Sequence, residues 1–370
     1  STATSCRTRV KMLLPILVAA TSAPRTRLVG RSTPSVVPSS PPPLDAPLLQ
    51  ACAAGWTAVC PAALSSSREI IHDVFGVATT TFEDNLREPA AGFFALTSPL
   101  ALLMAFLCLV LARADAALAC RGLPPLPAED RSRAGAALAG TCGASAAAIA
   151  YAFATGLTVA NPAAFGAFAA LVAATGLLGA RAVPAVDDPL GLYQSDAAEL
   201  VPFVGERAES ADELTSLFYR SSSIVGVIVG LSFLASPVSP IALFDTPEGP
   251  ATHLLRQELG VFIVFLLAPV QAALFRAARG GTLADVKLVN VVTGLCCGLL
   301  VANGRYQTMA GSAAFAALTP GTEFYDAVQA ALGDPLAVGR AQTNTDAAFT
   351  VGFVVALFYV AQAARKPADA

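Results

Sequence analysis

Residues 134–180 read AGAALAGTCGASAAAIAYAFATGLTVANPAAFGAFAALVAATGLLGA, 47 residues without one charged side chain. A helix rises 1.5 Å per residue, so about 20 apolar residues span a hydrocarbon layer about 30 Å thick. The stretch is therefore long enough for two crossings. Asn161-Pro162 divides it, because proline has no backbone N–H to donate and biases the residue before it away from helix. This stretch is read as a helical hairpin in a bilayer.

Working outward, Gly92–Ala112 is a further uncharged run and the first span. Ser221–Phe244, Leu259–Phe275, Leu288–Gly304 and Ala347–Ala364 follow as the fourth to seventh. Over all 370 residues, 55% are hydrophobic and only 13% charged, well away from the usage of water-soluble domains. The apolar runs are unbroken and do not alternate, which disfavours a β-barrel. The expected fold is all-α, a polytopic integral membrane helix bundle of about seven spans. Tyr306–Thr322 is also uncharged but rich in Gly, Ser, Thr and Gln, and is read as a re-entrant or surface helix. Charge supports that choice. The loops at 113–133, 181–220 and 276–287 and the tail carry 12 Lys/Arg, against Arg256, Arg305 and Arg340 on the other side. The basic side faces the cytoplasm or its equivalent.

Five regions follow. Residues 1–45 lack acidic side chains before Asp45 and carry six basic ones among many Ser, Thr and Pro, the composition of a targeting leader or of a disordered tail. Residues 46–90 mix apolar and charged positions and read as an amphipathic surface segment, with Ser65–Ser67 capping a short helix. Residues 91–180 form a three-span unit and 181–220 an acidic loop. That loop is either solvated or docked on a basic neighbour. Residues 221–370 form a four-span unit.

The net charge of -3, with no basic cluster, leaves no footprint for nucleic acid. Membrane lipids are the expected surroundings. The eight cysteines form no C-x2-C pair, so a zinc site is not indicated; Cys52 and Cys60 are either a disulfide or packing residues. No phosphate loop, nucleophile elbow or H-E-x-x-H is present, and no enzyme activity is expected. No ionisable residue lies inside the seven spans as drawn, which speaks against a proton-coupled pump. Asn290, Gln271 and Thr293 line a solute path or simply bond helices together. His253 and Gln257, one turn apart at the start of the fifth span, are candidate axial ligands for a chlorophyll magnesium, or else an interfacial polar pair. The cofactor-binding candidates are thus His253, Gln257 and Asn290. Gly226 with Gly230, and Gly294 with Gly298, have the spacing that lets helix backbones approach closely.

Residues 222–364, with LLRQELGVFIVF before the fifth span and VANGRYQTMAG after the sixth, resemble a family of small four-helix membrane proteins of no assigned activity. That family's pattern has an Arg-Glu-x-Gly helix start and a later Gly-Arg. Here the start is one residue longer, Arg256-Gln257-Glu258-Leu259-Gly260, and the later pair is Gly304-Arg305. LREPAAGFF at 86–94 loosely echoes LRQELGVFI at 255–263, with a gap. The leader resembles the two-part leaders of plastid proteins in haptophyte or dinoflagellate algae. With the Ala-rich helices, it is similar to the accessory or linker subunits that join antenna proteins to a photosystem core. Around Glu83, Asn85 and Arg87 the offsets depart from the light-harvesting signature.

What the resemblance implies is a noncatalytic linker subunit of a thylakoid photosystem I–antenna supercomplex. Its partners would be photosystem core and antenna proteins, with chlorophyll and carotenoid at its periphery. The alternative is a membrane carrier or channel for a neutral or amphipathic solute. An accessory subunit of a mitochondrial inner-membrane complex shares the linker's physics.

Overall fold

The computed structural model describes residues 45–77, 89–113, 127–200, 211–235, 249–280, 286–316, 320–322, 325–326, 350, 352–362 and 364. Among these there is no strand. The helices are α1 (Asp45–Phe75), α2 (Ala90–Arg113), α3 (Ala128–Ala154), α4 (Pro162–Ala182), α5 (Pro189–Leu200), α6 (Ala211–Ala235), α7 (Pro250–Arg279), α8 (Lys287–Ala316) and the short α9 (Gly352–Gln362). Seven of them, α1 to α4 and α6 to α8, are long and apolar enough to cross a membrane. The protein is an all-α bundle. The leader, the Pro237 and Pro240 end of the fourth predicted span, and the segment around Glu83 lie outside the described residues.

The hairpin that opened the sequence reading is present. Asn161 caps α4, its side chain accepting from the Ala164 N–H at 3.1 Å, and Pro162 occupies the first turn, where its missing N–H costs no bond. α3 and α4 then meet back to back. A Cβ on Gly135 would lie 2.6 Å from the Gly179 carbonyl, and one on Gly179 would lie 2.8 Å from the Gly135 carbonyl, so only glycine permits this approach.

The seven long helices are not the seven spans expected. The part of 46–90 that forms α1 is not a surface segment, since α1 is 31 residues long and buries Leu49, Cys52, Trp56 and Ile71 against α2 and α4. Its amphipathic look has a local cause. The helix bends at Ser66 (φ -140°, ψ 33°), where a helix start was expected. Next to the bend, the Ser65 hydroxyl donates to the Pro61 carbonyl at 2.8 Å, a side-chain bond that competes with the backbone ladder. Tyr306–Ala316 is not a separate re-entrant piece, because α8 runs through it unbroken for 30 residues. At the chain's end the described helix is α9, about 16 Å long.

α7 also starts nine residues earlier than the fifth predicted span. It contains a π turn at Ile263–Leu267, in which the Ala268 N–H bonds the Ile263 carbonyl. Pro269 follows directly; a proline cannot complete the regular ladder, and the wider turn absorbs the mismatch.

Neighbours repeat in a pattern of four. α1 packs on α2 and α4, and α3 on α4; α6 packs on α7. α9 packs on α6 through stacked Phe218 and Phe358 and a Gln362 to Thr215 hydrogen bond of 3.3 Å, and on α8 where Gly294 faces Tyr359. Across the two runs, α2 meets α7 and α8, and α3 meets α7.

Candidate functional site

Pro250 opens α7 after an extended Gly249, and the His253 N–H bonds the Gly249 carbonyl at 2.9 Å. This early start carries Arg256 and Glu258 into the bundle, where they are 0% and 4% exposed. The expectation that no ionisable residue lies inside a span is therefore overturned. The turn that precedes the long apolar run is helix, and neighbouring helices cover it.

Arg256 is satisfied internally. One guanidinium nitrogen donates to the Phe233 carbonyl in the last turn of α6, where carbonyls lack helix partners and carry partial negative charge. Another lies 2.9 Å from His253 Nδ1. A guanidinium only donates, so Nδ1 accepts and the ring proton sits on Nε2. With Nε2 protonated, the one free lone pair of the ring, on Nδ1, is engaged by Arg256 in this arrangement of His253. Its ring packs 5.8 Å from Tyr151. Gln257, one turn on, is half-buried, and its carbonyl oxygen is buried without a partner among the described residues.

Among the described residues, Glu258 has no such cation in hydrogen-bond range. Its Oε2 accepts a 2.6 Å hydrogen bond from the Ser145 hydroxyl of α3. Its Oε1 is buried and has no hydrogen-bond partner among the described residues. The side chain forms part of the wall of a cavity of about 240 Å³ between α1, α2, α3, α4 and α7. The rest of that wall is apolar in effect. Trp56, Ile71, Phe75, Phe94, Phe168 and Phe262 supply most of the bulk, and the Thr97 and Ser98 hydroxyls are spent on carbonyls of their own helix at 2.9 and 2.7 Å. Trp56 is fixed by an indole N–H bond of 2.9 Å to Thr175 on α4 and by edge contacts with Phe168 and Phe262. Among the described residues, the result is an apolar cavity with the carboxyl of Glu258 at one edge.

Asn290 lies elsewhere, on α8. It is 1% exposed, and its Oδ1 accepts from the Tyr219 hydroxyl of α6. Tyr219 packs against Tyr359, which sits beside Gln271. The structure thus joins Asn290 and Gln271 in one buried polar cluster between α6, α7, α8 and α9. Asn290 bonds α8 to α6 there, while its Nδ2 and the Gln271 Oε1 are buried without a hydrogen-bond partner among the described residues. His253 and Gln257 share a helix but not this cluster.

A third group of polar residues holds α5 in place. Asp196 receives two bonds from Arg133 of α3, at 2.9 and 3.1 Å, and one contact from Arg276 of α7 at 2.8 Å. The acidic loop thus docks Asp196 on cations of its own chain. Cys52 and Cys60 are both free and buried, so of the two readings packing is the one seen. Gly230 does lie against α7, a Cβ there falling 3.0 Å from the Gly260 carbonyl, while Gly298 touches nothing.

Sequence reasoning missed Glu258 as a site residue. The available signal was Arg256-Gln257-Glu258 directly abutting a long apolar run, with Pro250 as an earlier helix start. No protein-family model, curated protein or solved structure matches this chain.

Proposed function

We propose that this protein is a noncatalytic membrane protein that binds an apolar or amphipathic small molecule inside its helix bundle, the carrier class of the two readings above. The apolar cavity of about 240 Å³ with the buried carboxyl of Glu258 in its wall carries this reading. A wall drawn from both runs of helices is the arrangement expected where a solute is held between moving parts. The test is purification from the source membrane in mild detergent, solvent extraction, and mass spectrometry of what is released. A near-stoichiometric apolar molecule is expected from the native protein, and its loss from the Ala101→Phe variant, which fills the cavity. An empty native protein would overturn the reading.

The linker reading is favoured by a different observation. Ile228 and Leu231 on α6, Leu288 and Leu295 on α8, and Leu357 and Val360 on α9 are all more than two-fifths exposed, faces that lipid or partner helices would cover. The photosystem–antenna setting and the thylakoid address are supported by the leader's composition alone. In the same purification, co-migrating photosystem and antenna polypeptides with stoichiometric chlorophyll would favour the linker, and a colourless particle running alone would sink it.

A further inference from the structure

We infer that Oε1 of Glu258 is the recognition point for the head of the molecule in the cavity, and that this molecule is a lipophilic alcohol. The inference rests on the binding function proposed above and names its ligand class. Three observations converge. The carboxyl is 4% exposed, one of its oxygens has no partner among the described residues, and it borders the cavity. A buried polar group left unanswered is costly, so an occupant that completes its hydrogen bonding is favoured over one that does not.

The head's chemistry follows from what else faces it. No Lys, Arg or His lines the cavity, so an anionic head such as a carboxylate or phosphate would meet a like charge or an uncompensated one. A ketone or ester answers the carboxyl only when it is protonated, and an ammonium only when it is ionised. A hydroxyl answers both, donating to the carboxylate or accepting from the acid. The remaining wall is hydrocarbon and aromatic, so the body is apolar. An apolar cavity of about 150 Å³ takes benzene, and on that scale about 240 Å³ accommodates a body of roughly ten carbons.

The experiment uses the full chain in nanodiscs and two photoreactive probes that carry a diazirine at the same chain carbon, one on 1-decanol and one on decane. Adducts are mapped by mass spectrometry to the peptides containing Trp56, Phe168 and Phe262. Decanol is expected to label these peptides about ten-fold more efficiently than decane. Glu258→Leu should bring the two probes to parity. Glu258→Gln, which keeps both the Ser145 bond and a group able to donate or accept, should retain most of the preference. Equal labelling of the native chain by both probes would overturn the recognition role while leaving the cavity occupied. Absence of any labelling there, or labelling unchanged in Ala101→Phe, would overturn the binding function itself and this inference with it.

Discussion

Glu258 and Asp196 show how differently one residue type is treated within one bundle. Asp196 is 15% exposed and meets two guanidinium groups, so its charge is answered twice. Glu258 is buried deeper and meets one hydroxyl. A buried charge deprived of its partner is costly, and removing Asp196 leaves Arg133 and Arg276 facing each other. Asp196→Asn is therefore expected to lower stability by about 3 kcal/mol, read by thermal unfolding in detergent. Glu129→Gln is the control, since that carboxylate, 3.3 Å from Arg133, is 63% exposed and should cost under about 1 kcal/mol. Equal small losses in both variants would mean that water, not Asp196, solvates the arginines.

At the scale of the element, α1 is where charge patterning misled. Arg68, Glu69, His72 and Asp73 cluster at its C-terminal end, and averaging them with the apolar turns before them gave a surface helix. The helix as a whole is long and apolar enough to cross, with Trp56 in its apolar part, and the charged residues follow the Ser66 bend. This makes a topological prediction. Cysteines introduced at Pro47 and at Val77 should react with a membrane-impermeant maleimide from opposite faces of sealed vesicles, measured against the wild-type background. Labelling from one face would return α1 to the membrane surface. The α3–α4 pair makes a second prediction. Gly179→Val should cost about 1–3 kcal/mol through overpacking against the Gly135 carbonyl, whereas Gly143→Val, with open space beside it, should change little. Matched thermal melts of the two variants decide it.

At the scale of the whole molecule, the order of packing repeats after four helices, and each run's second helix lies against the other's. In the echo between 86–94 and 255–263, residues 90–94 open α2 and 255–263 lie within α7, the second helix of each run. Four is an even number, so helices alternating in direction bring both runs in from the same face, the geometry of parallel rather than inverted repeats. The Ser145–Glu258 bond ties one run to the other beside the cavity. By itself, the sequence determined the all-helical membrane class, the α3–α4 hairpin and its turn, because apolar length and proline chemistry are local quantities that a bilayer reads directly. It determined much less about the site. His253, Gln257 and Asn290 were chosen as polar residues near or within spans, but which face of a helix is covered, and by what, depends on neighbours far along the chain, such as Tyr219 for Asn290 and Tyr151 for His253. Only the tertiary structure decided that Arg256 is satisfied by α6 and that Glu258 is met by one serine from α3, because burial and hydrogen-bond completion belong to the packed bundle and not to any one stretch of chain.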